Sequence, residues 1–204
     1  MFYYVVRAAC WFIFKIFWKI DVVGIENVPK EGGLILASNH VSYLDPIVLG
    51  ITMKRKICFI TKKEAFNNIF GSIILTHLNA FPVDRGKIDI RSLKKSLDIL
   101  QEKKVLGIFP EGTRSLNGEL QELKLGIIKI AMKTGVPILP VGIIGTHKIY
   151  SHGKVFPTLF KYNIIVCYGP LQYFDKGKIG DKIYQKEALG ILSQEIKKLT
   201  NSHT

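Results

Sequence analysis

Two short polar segments, each directly behind an apolar run, carry the residue types that acid–base and anion chemistry require. The first is Ser38-Asn39-His40-Val41-Ser42-Tyr43-Leu44-Asp45-Pro46, behind Leu34–Ala37. Histidine is the side chain whose ordinary titration lies closest to neutrality, so it serves as a general base. A carboxylate bonded to one ring nitrogen fixes the tautomer and stabilises the imidazolium formed when the other takes a proton. His40 and Asp45 are five positions apart. They would lie roughly 140° apart on one helix, and on opposite faces of one strand, so they meet only across a strand-to-helix turn. A plainer reading stays open, in which Asp45 caps a helix with Pro46 at its first position and His40 is a loop residue.

The second segment is Phe109-Pro110-Glu111-Gly112-Thr113-Arg114-Ser115, behind Val105–Phe109. Gly112 lets backbone approach closely, Thr113 and Ser115 offer hydroxyls, and Arg114 offers a two-pronged donor for phosphate or carboxylate. The plain alternative is a polar turn with a surface arginine. Two further segments say less alone. Phe81-Pro82-Val83-Asp84-Arg85-Gly86 ends in what could be a surface ion pair. Val136-Pro137-Ile138-Leu139-Pro140-Val141 reads as an edge strand or a bend, because proline cannot donate to a ladder. Lys62, in Thr61-Lys62-Lys63-Glu64, is either a phosphate partner or half of a solvated lysine pair.

The elements that must position these residues alternate. Leu34–Ala37, Ile57–Ile60, Val105–Phe109, Ile138–Ile144 and Tyr162–Val166 read as strands. Pro46–Met53, residues 88–102, Lys124–Lys133 and residues 182–199 read as helices, the last through Tyr184, Ala188, Leu192, Ile196 and Leu199. That alternation predicts a single α/β domain over residues 21–204, with a largely parallel or mixed central sheet flanked by helices. Both polar segments then fall where strands end and helices begin, which is where α/β domains place their sites.

Composition bounds the partners. The 204 residues carry 29 Lys and Arg against 16 Asp and Glu, a net +13, yet 48% are hydrophobic. Disorder and low-complexity classes are excluded by that apolar fraction, and a disulfide scaffold by only three cysteines. A basic, greasy domain suits an anionic membrane surface, an acidic substrate or nucleic acid. The charge excess peaks mid-chain: residues 51–100 hold ten Lys or Arg against four acids. The greasiness peaks at residues 1–20, of which seventeen are apolar, the exceptions being Arg7, Lys15 and Lys19. As a helix this segment sets Lys15 and Lys19 about 80° and 120° round from Arg7, with Tyr4, Trp11 and Trp18 in the same arc. The pattern predicts an amphipathic, membrane-associating helix lying in the interface, with a packed helix or a true span as alternatives. Arg7 breaks the apolar run that a signal peptide needs.

Taken together and in order, the four segments resemble the four sequence blocks of the glycerolipid (lysophospholipid) acyltransferase family. The His-x4-Asp block is His40 to Asp45, the second ends at Val83-Asp84-Arg85, the third is complete at 109–115 and the fourth at 136–141. The short length and the apolar N-terminal helix are similar to the bacterial 1-acylglycerol-3-phosphate members. The segment Leu116-Asn117-Gly118-Glu119 and the element Leu123-Lys124-Leu125-Gly126 depart from the family's usual continuations.

The resemblance implies acyl transfer from a thioester to the sn-2 hydroxyl of lysophosphatidate, making phosphatidic acid. His40 and Asp45 would be catalytic. Arg85 and Arg114 would hold the acceptor phosphate with help from Lys62, Glu111, Gly112 and Thr113 would shape the glycerol site, and the fourth block would line the acyl chain. Acyl-CoA or acyl carrier protein would be the co-substrate, with no resident cofactor. Transfer would be direct, since neither Cys58 nor Cys167 sits in a Cys/His motif; Ser42 is the alternative nucleophile. The implied location is the cytoplasmic face of a membrane, peripheral or monotopic, which suits three reduced cysteines. No metal site is expected, because His40, His77, His147, His152 and His203 lack ligand spacing beyond a wide His147/His152 pair. Rival readings are another acceptor (glycerol-3-phosphate, a different lysophospholipid or an aminolipid) and a non-catalytic lipid-binding module. Nucleic acid is not expected as a partner, for want of any binding signature. The sequence leaves the oligomeric state open.

Overall fold

The computed structural model describes residues 2–62, 81–83, 90–151 and 153–202. The elements run α1 (Phe2–Phe17), β1 (Ile20–Val23), β2 (Leu34–Ser38), α2 (Asp45–Thr52), β3 (Ile57–Lys62), β4 (Phe81–Val83), α3 (Ile90–Gln101), β5 (Val105–Ile108), α4 (Gly126–Thr134), β6 (Ile138–Ile144), α5 (Thr146–Ile149), β7 (Ile164–Tyr168) and α6 (Lys182–Asn201). The seven strands form one sheet in the order β1-β7-β6-β2-β5-β3-β4. Neighbours are parallel except β6 and β7, which are antiparallel. The α/β expectation is met in its mixed form, with β1 and β7 running against the other five strands.

β2 explains why the sheet needs helices on both faces. All five of its residues are buried, and its side chains alternate between two cores, as a strand's must. Leu34 and Leu36 pack with α2 residues Val48, Leu49 and Ile51 on one face. Ile35 and Ala37 pack on the other with Ile127, Ile128 and Ala131 of α4 and Leu192 and Ile196 of α6. Because β2 is parallel to both β5 and β6, the chain leaves all three strands at the same edge of the sheet.

The Val136–Val141 segment is not an edge strand. β6 lies between β2 and β7, and Ile138 to Ile143 are buried. Proline is tolerated there because of where its nitrogen faces. Ile138 exchanges both backbone bonds with Gln172, at 2.9 and 2.8 Å. Pro140, two residues on, therefore also faces the β7 side. It accepts from the Gly169 N–H at 2.9 Å just past the end of β7, and the absent return bond falls where that ladder stops.

α1 differs from its expected posture. Arg7 does not share a solvent-facing stripe with Lys15; its guanidinium donates to the carbonyls of Ile51 and Lys54 at the end of α2. Phe14 and Trp18 are buried in the core, and Cys10 and Phe17 pack against it. The Trp18 indole N–H donates to Thr158 O at 2.9 Å. The opposite face leaves Val5, Phe12, Ile13 and Ile16 exposed. Among the described residues no helix is long and apolar enough to cross a membrane.

Three elements escaped the sequence pattern: β1, whose four residues continue the apolar run of α1, β4, whose three residues include Pro82, and α5, which has one turn. The strand expected at Tyr162–Val166 is found two residues later, at Ile164–Tyr168.

Candidate active site

The backbone of His40 is held before its ring does anything. β2 stops pairing with β6 at Ser38, opposite Val141. The Asn39 side chain then stands in for a strand peptide: its amide donates to Ile143 O at 2.9 Å and its oxygen accepts from Ile143 N at 2.8 Å. Such a buried, fully paired amide fixes the direction in which the chain leaves the strand. At the next residue, the His40 N–H donates to Glu111 Oε1 at 2.6 Å, and its carbonyl accepts from Ser115 N at 2.7 Å. The loop after β2 is thus clamped to the loop after β5 through both peptide groups of one residue.

The His40 ring lies parallel to the Phe109 ring, with centroids 4.0 Å apart and planes 17° off, and Phe109 stacks in turn on Phe59. His40 Nδ1 is 2.9 Å from Asp45 Oδ2. Asp45 is not a helix cap: α2 begins at Asp45 with Leu44 at the cap position and no side-chain cap bond. Its carboxylate turns back instead. Oδ2 also accepts from the Val41 and Ser42 N–H groups at 2.7 and 2.8 Å, and Oδ1 accepts from Thr146 Oγ1 at 2.7 Å. The Asp45 side chain is 0% exposed and that of His40 17%. A carboxylate with three fixed donors besides the imidazole cannot rotate, so it holds the ring in one orientation with Nε2 left for other chemistry.

Thr146 reaches Asp45 because Gly145 turns the chain between β6 and α5. Gly145 has φ +90°, and a Cβ there would sit 2.0 Å from Asn163 O, so only glycine fits. Ser42 is withdrawn from any nucleophilic role: it is buried, its hydroxyl donates to Tyr150 O at 2.6 Å and accepts from Leu44 N at 3.1 Å.

The second loop supplies a different environment. Glu111 is 3% exposed, and burial pushes its carboxyl above the usual range, opposed by backbone bonds from Gln121 and His40. Both oxygens are engaged by those N–H groups, so it ties the loops together. Gly112, at φ +75°, lies beneath Lys124, whose Nζ would meet a Cβ at 2.7 Å. Thr113 is exposed. The Arg114 guanidinium lies 3.3 Å over the Tyr43 ring, and its Nη1 is buried without a hydrogen-bond partner among the described residues. Tyr43 in turn contacts Tyr150, with ring centroids 5.4 Å apart.

The structure therefore gathers His40, Asp45, Glu111, Gly112 and Arg114 at one sheet edge. Arg85 lies outside the described residues. Lys62 ends β3, and its side chain lies outside them too. Sequence reasoning did not assign roles to Asn39, Tyr43, Phe109 or Thr146. Thr146 reaches Asp45 only because β6 lies beside β2, a pairing that the sequence pattern does not give. Among the described residues no group of His, Cys, Asp and Glu could hold a metal ion.

The chain has relatives. The acyltransferase family model matches residues 19–144, a span holding β1 to β6 and every described site residue except Thr146 and Tyr150. A 1-acyl-sn-glycerol-3-phosphate acyltransferase of Borreliella burgdorferi is 32% identical over 185 residues, covering 89% of this chain and 72% of that protein. One of the same name from Bacillus subtilis is 32% identical over 183 residues, covering 89% and 88%. The crystal structure of the 1-acyl-sn-glycerophosphate (LPA) acyltransferase PlsC from Thermotoga maritima shares the fold, with a TM-score of 0.70 at 24% identity over 89% of this chain and 72% of that one. With a matching family model across more than half its length and relatives at 32% identity covered over more than two thirds of their length, the chain belongs to the acyltransferase family.

Proposed function

We propose that the protein transfers a fatty acyl group from an acyl thioester, acyl-CoA or acyl carrier protein, to the sn-2 hydroxyl of 1-acylglycerol-3-phosphate, making phosphatidic acid for phospholipid synthesis. The observation that carries this reading is the pairing of a locked His40–Asp45 dyad with the Nη1 of Arg114 in the adjoining loop, buried and without a partner among the described residues. A hydroxyl is a poor nucleophile until a base takes its proton. His40 Nε2 takes it, with Asp45 stabilising the imidazolium, which is worth about 10²–10⁴-fold in rate. The oxygen attacks the thioester carbonyl, the C–S bond breaks, and the thiolate leaves with the proton from Nε2. No step calls for a metal or a prosthetic group.

Arg114 takes the acceptor phosphate, whose charge satisfies the buried donor. Arg85 and Lys62 add charge to the same group, and Gly112 and Thr113 face the glycerol. Direct transfer is favoured over an acyl-enzyme because burial raises the pKa of all three thiols, Cys10, Cys58 and Cys167, away from the nucleophilic thiolate. The three free cysteines suit the cytoplasmic face of a membrane, and α1 gives a peripheral or monotopic foothold.

The test is transfer of labelled acyl groups by purified protein to a panel of acceptors from each donor in turn. Preference for lysophosphatidate supports the acceptor. Preference for glycerol-3-phosphate or an aminolipid removes it while the reaction class stands.

A further inference from the structure

The foothold has a second part that lies 140 residues from the first in sequence. Residues 155–160 read Val155-Phe156-Pro157-Thr158-Leu159-Phe160, and Val155, Phe156 and Phe160 are 76%, 80% and 72% exposed. Single exposed apolar side chains are ordinary, but a cluster continuous with another apolar face is not. This loop is stapled to the end of α1 by three contacts. Phe160 N donates to Phe17 O at 3.1 Å, their rings lie 5.2 Å apart, and Trp18 Nε1 donates to Thr158 O. Phe17 is about 40° round the helix from Ile13, so the loop extends the exposed face that carries Val5, Phe12, Ile13 and Ile16.

Two further observations indicate what covers it. Phe160 has φ +59°, a conformation that bulky side chains rarely adopt. Strained backbone that holds a large ring in water is unfavourable twice over unless something else buries the ring. The surroundings are also mainly of one sign. Residues 2–19 and 146–163 contain no Asp or Glu. Arg7 turns inward to α2 and Lys19 pairs with Asp21 at 3.3 Å, which leaves Lys15, Lys148, Lys154 and Lys161 as the charges around the patch. Two copies of such a surface would repel each other, whereas a bilayer with anionic headgroups offers both a hydrocarbon layer and the opposite charge.

We propose that Val155, Phe156 and Phe160 insert into an anionic bilayer together with the outer face of α1, so that the protein docks at two points. The loop follows α5 directly, and Thr158 N donates to Ile149 O. The same short segment supplies Thr146 to Asp45 and Tyr150 O to Ser42. The second point of docking therefore sets the His40 corner beside the membrane surface, where a lipid acceptor can enter sideways.

Binding to vesicles is measured without substrate, so the outcome is independent of the acceptor proposed above. The full chain is floated with vesicles of phosphatidylcholine alone and with about a third phosphatidylglycerol. The wild type binds the anionic vesicles at least tenfold more tightly. V155E/F156E weakens that binding at least tenfold, comparable to Phe12→Glu/Ile16→Glu in α1, while acyl transfer to detergent-dispersed acceptor is unchanged. Wild-type vesicle binding by V155E/F156E overturns the proposal. So does a concentration-dependent dimer that V155E/F156E abolishes in the absence of vesicle binding. Phe156→Trp covers the case of a poorly folding double variant. Brominated lipids quench its added emission if the loop inserts, and an added emission that brominated lipids leave unquenched overturns insertion.

Discussion

The loop after β2 and the loop after β5 meet at one residue, His40, and differ in how far their polar groups are satisfied. In the first, Asp45 carries four partners, Asn39 is paired at both ends of its amide, and Ser42 both donates and accepts. In the second, Arg114 rests on an aromatic ring with one buried nitrogen unpaired among the described residues. Under the proposed reaction the difference is functional. A proton-transfer dyad works best when its geometry is settled before substrate arrives, because no reorganisation is then required during the reaction. An anion-binding arginine gains most from its ligand when its donors have no competing partner. Under that reaction one loop is complete without substrate, and the other is completed by it.

The largest effects should come from breaking the finished side. His40→Ala removes the base and should lower kcat by about 10²–10⁴-fold with KM little changed. Asp45→Asn should fall in the same range, since an amide at 45 cannot stabilise the imidazolium and turns a donor toward the Val41 and Ser42 N–H groups or toward Thr146. Either variant retaining more than a tenth of wild-type turnover would remove His40 as the base. Arg114→Ala should act on the other parameter. Losing a charge-assisted fork raises the acceptor KM by roughly 10–100-fold. Thermal stability should hold or rise, because the unpaired buried donor goes with it. A fall in kcat alone would erase the distinction between the two loops.

Much of this was visible in the sequence, and the reasons are local. His40 and Asp45 could meet only across a turn, and the alternation of apolar runs placed that turn at a strand end. The four blocks set Glu111 and Arg114 in the neighbouring loop. What stayed hidden depended on contacts distant in sequence. Pro140 looked like an edge residue because nothing local says that β7 stops beside it. Arg7 looked like part of a solvent-facing stripe because its carbonyl partners are more than forty residues away. Asp45 fits a helix cap by position, and only its turn toward the Val41 and Ser42 amides shows the other use. Thr146 lies 101 residues from Asp45.

Thr146 gives a finer test of the finished side. Thr146→Val keeps the shape but removes one of Asp45's donors, a bond to a carboxylate worth about 1.5 kcal/mol, so kcat should fall about tenfold with KM unchanged. Thr146→Ser should restore most of it. Loss in both variants would mean that the residue only packs.

The smallest effect concerns Glu111, where the two loops are tied. Its carboxyl is pushed up, chiefly by burial, so the folded state disfavours the charged form relative to the unfolded chain. A group of this kind contributes its full stability below the ordinary glutamate range, and that contribution shrinks as pH rises from there through the raised value. Glu111→Gln does not titrate. Its N–H₂ faces one of the two backbone donors, so it loses about one hydrogen bond at every pH. The difference in Tm between Glu111→Gln and the wild type should therefore be most unfavourable near pH 4 and narrow toward pH 7, while kcat falls severalfold at both because His40 N–H is less firmly held. Melts at several pH values read the trend directly. A gap that widens toward neutral pH would mean that the bonds to His40 and Gln121 outweigh burial, and that the tie between the loops is strongest in its charged form.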